Sequence, residues 1–164
     1  MLLRSVPLSN ELHDFLLTAL NVAKDIGAKH KETPRSGGYL CIADARTGMP
    51  LYLSILGVVP SGHAPKYLGF AQEKALRLAA NPEDLASEQS RKPDEGKWGG
   101  AIRTDRYILS FSGLPEELDE AIMLSFAIKA DFLTHEAAAH IARLTHNNRW
   151  QEFQDALLSL LAVR

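Results

Sequence analysis

His63 is the side chain whose setting most invites chemistry. It lies in Pro60-Ser61-Gly62-His63-Ala64-Pro65, a Gly/Pro loop between a strand-like run and a helix. Loops held by a rigid scaffold often carry ligand contacts. An imidazole there can coordinate haem iron or another metal, or move a proton as a general base. An exposed histidine with no ligand meets the same pattern, and the residues leave these readings open. A general base also needs an orienting partner, and no spacing brings Asp94, Glu95 or Asp119 to His63.

The run His135-Glu136-Ala137-Ala138-Ala139-His140 departs from the zinc-protease pattern H-E-x-x-H by one inserted residue. On a helix turning ~100° per residue, histidines four apart sit ~40° apart, whereas five apart they sit ~140° apart. One ion cannot be held that way, so no metal ligand is predicted. His146 stands at a helix C-terminus, where the dipole favours it; His13 and His30 read as solvated. Cys41, the single cysteine, sits in Tyr39-Leu40-Cys41-Ile42-Ala43 and reads as a buried apolar residue. Ser112-Gly113 precedes a helix and could receive an anion on its backbone N–H groups, although a helix cap is the favoured reading. Gly99-Gly100 permits close approach by a ligand or another backbone. No glycine-rich phosphate loop, Gly-x-Ser-x-Gly elbow or Cys-His pairing is present, so no catalytic residue is predicted.

Composition narrows the classes further. A chain of 164 residues fits one domain, and its net charge of −2 offers no basic footprint for nucleic acid. No apolar run approaches the ~20 residues that span a bilayer, and the first residues lack the apolar core of a signal peptide. The expectation is a cytoplasmic chain with neither a membrane nor a nucleic-acid partner.

Any site must be positioned by the elements around it. Ser9 can cap a first helix whose apolar face runs from Leu12 to Ile26, with Gly27 as its stop. Tyr39 to Ala43 and Leu51 to Ile55 form a hairpin about Asp44-Ala45-Arg46-Thr47-Gly48. A helix from Lys66 or Tyr67 to Ala80 ends at Asn81-Pro82. Residues 81 to 97 read as a mobile polar loop, with Pro82 to Ser90 open to a short helix. Gly100 to Thr104 and Tyr107 to Phe111 form a second hairpin. Pro115 opens a helix with Glu116, Glu117 and Asp119 at its positive end. Its period runs on to Leu144, and a last helix spans Arg149 to Val163.

The unit Trp98 to Ala127 resembles the GlcG/HbpS-like domain, a haem-degrading, DUF336-type family related to the C-terminal domain of PduO-type proteins. The matching residues are Gly99-Gly100, Phe111-Ser112-Gly113 and Asp119-Glu120-Ala121; upstream, Tyr39 to Asp44 with Gly48, and Lys74-Ala75, follow the family's pattern. The resemblance covers residues 9–127 and leaves 128–164 as a helical extension of one domain. It implies an α+β fold with an antiparallel sheet flanked by helices, similar to profilin. It also implies homo-oligomers that bind a small molecule, with haem or another tetrapyrrole as the leading ligand. The implied site comprises His63 as an axial ligand, Lys74 against a ligand carboxylate, Gly99 and Gly100 for close approach, and Ser112-Gly113. Residues 128–164 are expected to cover the sheet or form a subunit interface. A second reading is a non-catalytic interaction module, its pocket filled by the bulky Arg77, Leu78 and Tyr107.

Overall fold

The computed structural model describes residues 8–163. Helix α1 (Asn10–Lys29) leads into strands β1 (Gly37–Asp44) and β2 (Pro50–Gly57), and helix α2 (Ala64–Ala80) follows. Strands β3 (Ala101–Arg103) and β4 (Tyr107–Ser112) precede three helices, α3 (Glu116–Lys129), α4 (His135–Leu144) and α5 (Trp150–Ala162). The four strands form one antiparallel sheet in the order β2-β1-β4-β3. This is the α+β arrangement, an antiparallel sheet flanked by helices, that the resemblance implied. Among the described residues no helix is long and apolar enough to cross a membrane.

The two faces of the sheet are built from different residues because side chains alternate along a strand. Leu40, Ile42, Leu56, Ile102, Leu109 and Phe111 point to one side and meet α1 and α3 in the main core. Cys41, Ala43, Ala101 and Ile108 point to the other and meet Ala71, Ala75 and Leu78 of α2. The small residues on that second face let α2 lie close to the sheet. Cys41 is fully buried there, and burial pushes its thiol up to about 11, so it serves as an apolar filler.

Several expectations need correction. Helix α1 starts where Ser9 Oγ accepts from Leu12 N at 3.2 Å, but it passes through Gly27 and ends at Lys29. Gly27 is a packing position, since a Cβ there would stand 3.9 Å from Leu118 Cδ1 of α3. The long helical period after Pro115 is two helices. The chain turns at Asp131 with φ 58°, and Thr134 caps α4 by accepting from Ala137 N at 3.1 Å. Ser112 is not the cap of α3, because Pro115 takes that position and Ser112 ends β4. Helices α4 and α5 do not cover the sheet. They pack over α3, with α5 also against α1, burying Trp150, Phe153 and Leu157.

The polar stretch after α2 is not a loose loop. It contains 3₁₀ turns at Ser87–Ser90 and Pro93–Glu95, and Ala86 bridges to Ile102 of β3. Two arginines tie it down. Arg77 donates to Ser87 O at 2.7 Å, Ser90 Oγ at 2.6 Å and Trp98 O at 2.5 Å. Arg103 donates to Asp84 O at 2.9 Å and to Leu78 O and Ala45 O on the other side. Backbone carbonyls that no strand satisfies are thus met by guanidinium groups, as buried polar groups require.

Candidate functional site

The end of the sheet where β1 begins and β4 ends opens into a cavity of about 310 Å³. Its floor is the corner from Ser112 to Asp119, and one wall is the first half of α2 with His63, Lys66, Tyr67, Phe70 and Lys74. Arg35 and Trp98 complete the lining. The chain can turn so tightly here because Gly113 has no side chain. A Cβ on Gly113 would lie 2.3 Å from Gly37 O and 2.5 Å from Gly38 Cα of β1.

Four of the residues expected at a site, His63, Lys74, Ser112 and Gly113, therefore meet around one space. Gly99 and Gly100 line a separate, smaller cavity of about 140 Å³ with Glu88, Arg91, Glu116, Glu117 and Glu120. Glu116 belongs to both. It accepts from Gly99 N at 2.6 Å and from Arg91 Nε at 2.8 Å, forming the partition between them. Burial alone would push its carboxyl up, but the bonds from Arg91 and Gly99 outweigh that and hold it below the ordinary range.

Lys74 has a different role from the one implied for it. Its ammonium is fully buried and donates to Phe111 O at 2.8 Å and to Asp119 Oδ2 at 3.3 Å. Strand β3 begins only at Ala101, so the Phe111 carbonyl faces no strand partner, and Lys74 takes that place. Asp119 completes the unit by accepting from Leu114 N at 2.9 Å, which holds the turn into α3. Burial pushes the Asp119 carboxyl up to about 7, against the pull of Lys74 and Leu114 N–H. The ammonium expected to meet a ligand carboxylate is already held by one from its own chain.

Gly100 packs against the back of this pair with φ 110°, a conformation reserved for glycine. A Cβ there would stand 2.8 Å from Asp119 Cβ and 2.9 Å from Lys74 Nζ. Gly100→Ala is expected to cost about 2 kcal/mol or more through backbone strain and displacement of the pair. Urea unfolding measures it; a variant within about 0.5 kcal/mol of wild type would show that neither the conformation nor the close approach matters.

The cations that do face the cavity are Arg35 and Lys66. Arg35 lies over the Tyr67 ring at 5.9 Å and Lys66 over the Phe70 ring at 5.7 Å. Arg35 also donates to Tyr67 Oη and to Gly113 O, each at 3.4 Å. Among the described residues neither has a carboxylate within ion-pair distance. Phe70 meets Trp98 edge to face at 6.4 Å, and His63 stacks on Tyr67 at 5.6 Å with 13° between planes. His63 is exposed at the rim, one residue before α2 begins.

Both cations left a faint trace in the sequence. Lys66 stands in the first turn of α2, where the helix dipole disfavours a cation and no acid accompanies it. Arg35 directly precedes Ser36-Gly37-Gly38, where the chain must run close to another backbone. The bulky residues that threatened to fill the pocket are elsewhere. Arg77 binds the segment before Trp98, Leu78 packs from α2 onto the sheet, and Tyr107 lies on Phe132 at 5.0 Å. No protein family, curated protein or solved structure matches this chain.

Proposed function

We propose that this chain is a cytoplasmic, homo-oligomeric binding protein that takes a small planar organic anion in the cavity between α2 and the β4–α3 corner. The observation that carries this reading is the pair Arg35 and Lys66, each over a cavity aromatic and, among the described residues, with no carboxylate at ion-pair distance. Both cations are exposed to solvent while lying over rings, so an anionic group can reach them from outside, and ring and charge together favour an aromatic anion. The surrounding Tyr67, Phe70 and Trp98 supply the apolar walls that ligand sites commonly present.

The resemblance to GlcG/HbpS-like domains supports a tetrapyrrole as the ligand class. The donor set suits one: aromatic walls for a macrocycle, Arg35 and Lys66 for its carboxylates, and the His63 imidazole for an iron. The cavity of about 310 Å³ stands at the lower end of ligand pockets, roughly 300–1,000 Å³, so it would take one edge of a macrocycle. A smaller aromatic carboxylate would be enclosed more completely.

Trp98 makes the test convenient, because the other tryptophan, Trp150, is buried in the core away from the cavity. Titration with haem and, separately, with 2-naphthoate is expected to change Trp98 fluorescence saturably. Arg35→Ala combined with Lys66→Ala should weaken either ligand at least ~30-fold, as loss of two charge-assisted contacts implies. His63→Ala should alter the Soret band of the haem complex and leave naphthoate binding unchanged. No saturable change with either probe would overturn the reading, and naphthoate binding without a haem spectrum would remove only the tetrapyrrole.

A further inference from the structure

The sheet has two edges, and they differ sharply. Strand β3 is three residues long, and its outer side is occupied: Ala86 bridges to Ile102, and Arg103 N donates to Leu85 O at 2.8 Å. Strand β2 is eight residues long and, among the described residues, pairs only with β1. Its sequence, Pro50-Leu-Tyr-Leu-Ser-Ile-Leu-Gly57, has no charged residue. Natural edges are normally blunted by charge, shortness or a covering segment. Among the described residues β3 is covered, whereas β2 has only Pro50 and a register shift at its start, leaving Leu53 to Ile55 open.

The ladder fixes which groups of β2 look outward. Val58 N donates to Ser36 O at 3.1 Å, and on the far side of β1, Ala45 N donates to Arg106 O at 3.1 Å. Bonding alternates along an antiparallel strand, so Leu56, Ser54 and Tyr52 bond to β1, while Ile55 and Leu53 present their N–H and C=O groups outward, the Ile55 carbonyl also accepting from Ser54 Oγ at 3.3 Å. The side chains of Leu53 and Ile55 lie on the α2 face of the sheet, opposite Cys41 and Tyr39 in register. They remain 41% and 46% exposed, because α2 covers β1, β4 and β3 but stops short of β2.

Helix α2 supplies a matching wall. One of its flanks, Phe70 and Arg77, is turned to Trp98 on the β3 side. The opposite flank carries Leu68, Gln72 and Leu76, four residues apart and uncharged, with Leu76 49% exposed and lying over the β1–β2 turn at Gly48. Edge, floor and wall are thus all free of charge, although the chain has 38 charged residues, 18 basic and 20 acidic.

We propose that a second copy of this chain docks here, its β2 pairing antiparallel with β2 about a two-fold axis to give one continuous eight-stranded sheet. An uncharged edge meets its own copy without like-charge repulsion. The outward groups of Leu53 and Ile55 find equivalent groups on the partner, as an isologous interface requires. The covered β3 edge offers no alternative strand, so pairing closes at two copies along the sheet. Leu53 and Ile55 of both copies then form one apolar stripe under the two α2 flanks.

Light scattering tests this on the full chain. Wild type is expected at an even multiple of 18.1 kDa, and Leu53→Lys and Ile55→Lys should each halve that mass with circular dichroism unchanged. Leu158→Lys, on the exposed side of α5, should leave the mass as in wild type. Hydrogen exchange gives a second readout: the Leu53 and Ile55 amides should be protected in wild type and lose at least ~10-fold of that protection in Leu53→Lys. A wild type that is monomeric, including one that pairs only with a foreign peptide, would overturn the proposal. So would edge variants that keep the wild-type mass, or Leu158→Lys alone halving it. None of these outcomes depends on whether the cavity binds an anion.

Discussion

Asp119→Ala should be the most damaging single truncation near the cavity, lowering the unfolding free energy by about 3–5 kcal/mol. The substitution leaves the buried Lys74 ammonium with only the Phe111 carbonyl, and removes the acceptor for Leu114 N–H. An uncompensated buried charge is among the few defects that reach this size. Lys74→Met should cost less, about 1–3 kcal/mol, because Asp119 can take up a proton and become neutral once its partner is gone. The double variant Lys74→Met/Asp119→Asn keeps an acceptor for Leu114 and removes both charges, so it should be milder than Asp119→Ala alone. In a chain of this length Asp119→Ala corresponds to a loss of about 10 °C in Tm. Equal losses for Asp119→Ala and Lys74→Met would show that the ion pair is not the source of the effect.

The second large effect concerns Glu120, which lies beneath the α4–α5 turn and accepts from Thr145 Oγ1 at 2.6 Å and Asn147 Nδ2 at 3.0 Å. Burial pushes its carboxyl from 4.5 up to about 7, against these two hydrogen bonds, and Glu88 and Glu117 push the same way. The folded state therefore holds a proton that the unfolded state releases between those values. Stability from this group is present in full below the unfolded value and is lost as pH rises through about 7. Glu120→Gln keeps an acceptor for Thr145 and Asn147 and carries no charge at any pH. Relative to wild type, the variant should gain about 3 kcal/mol between about pH 4 and about pH 8. Chemical unfolding across that range measures the difference; parallel curves for the two proteins would mean that Glu120 is ionised throughout. Asp119 titrates in the same window and stays in both proteins, so the comparison isolates Glu120.

The sequence revealed the fold better than the site, for reasons visible in particular residues. The short apolar runs Tyr39 to Ala43 and Tyr107 to Phe111 located the central strands, because a sheet buried on both faces leaves such runs bounded by turn residues. Ser9 and Pro115 marked helix starts through local chemistry. Gly27 misled because a glycine that admits a neighbouring helix looks the same as one that ends a helix. Asp131 and Thr134 were a turn and a cap hidden inside an unbroken apolar period. At the site, Lys74, Ser112 and Gly113 were visible through the resemblance, but Lys74's internal pairing with Asp119 spans 45 positions and has no local signature. Arg35 and Lys66 come together only because the backbone of β1 crosses the β4–α3 corner at Gly38 and Gly113. That crossing is a tertiary event.

The cavity above that crossing is the proposed binding site for an organic anion. Backbone amide shifts of isotopically labelled protein, followed during titration with 2-naphthoate, address this directly. Saturable changes are expected only at Arg35, residues 63–67 and Gly113 to Leu114, all abolished in the Arg35→Ala/Lys66→Ala variant. Saturable changes centred elsewhere, or changes that persist in that variant, would contradict the proposed site.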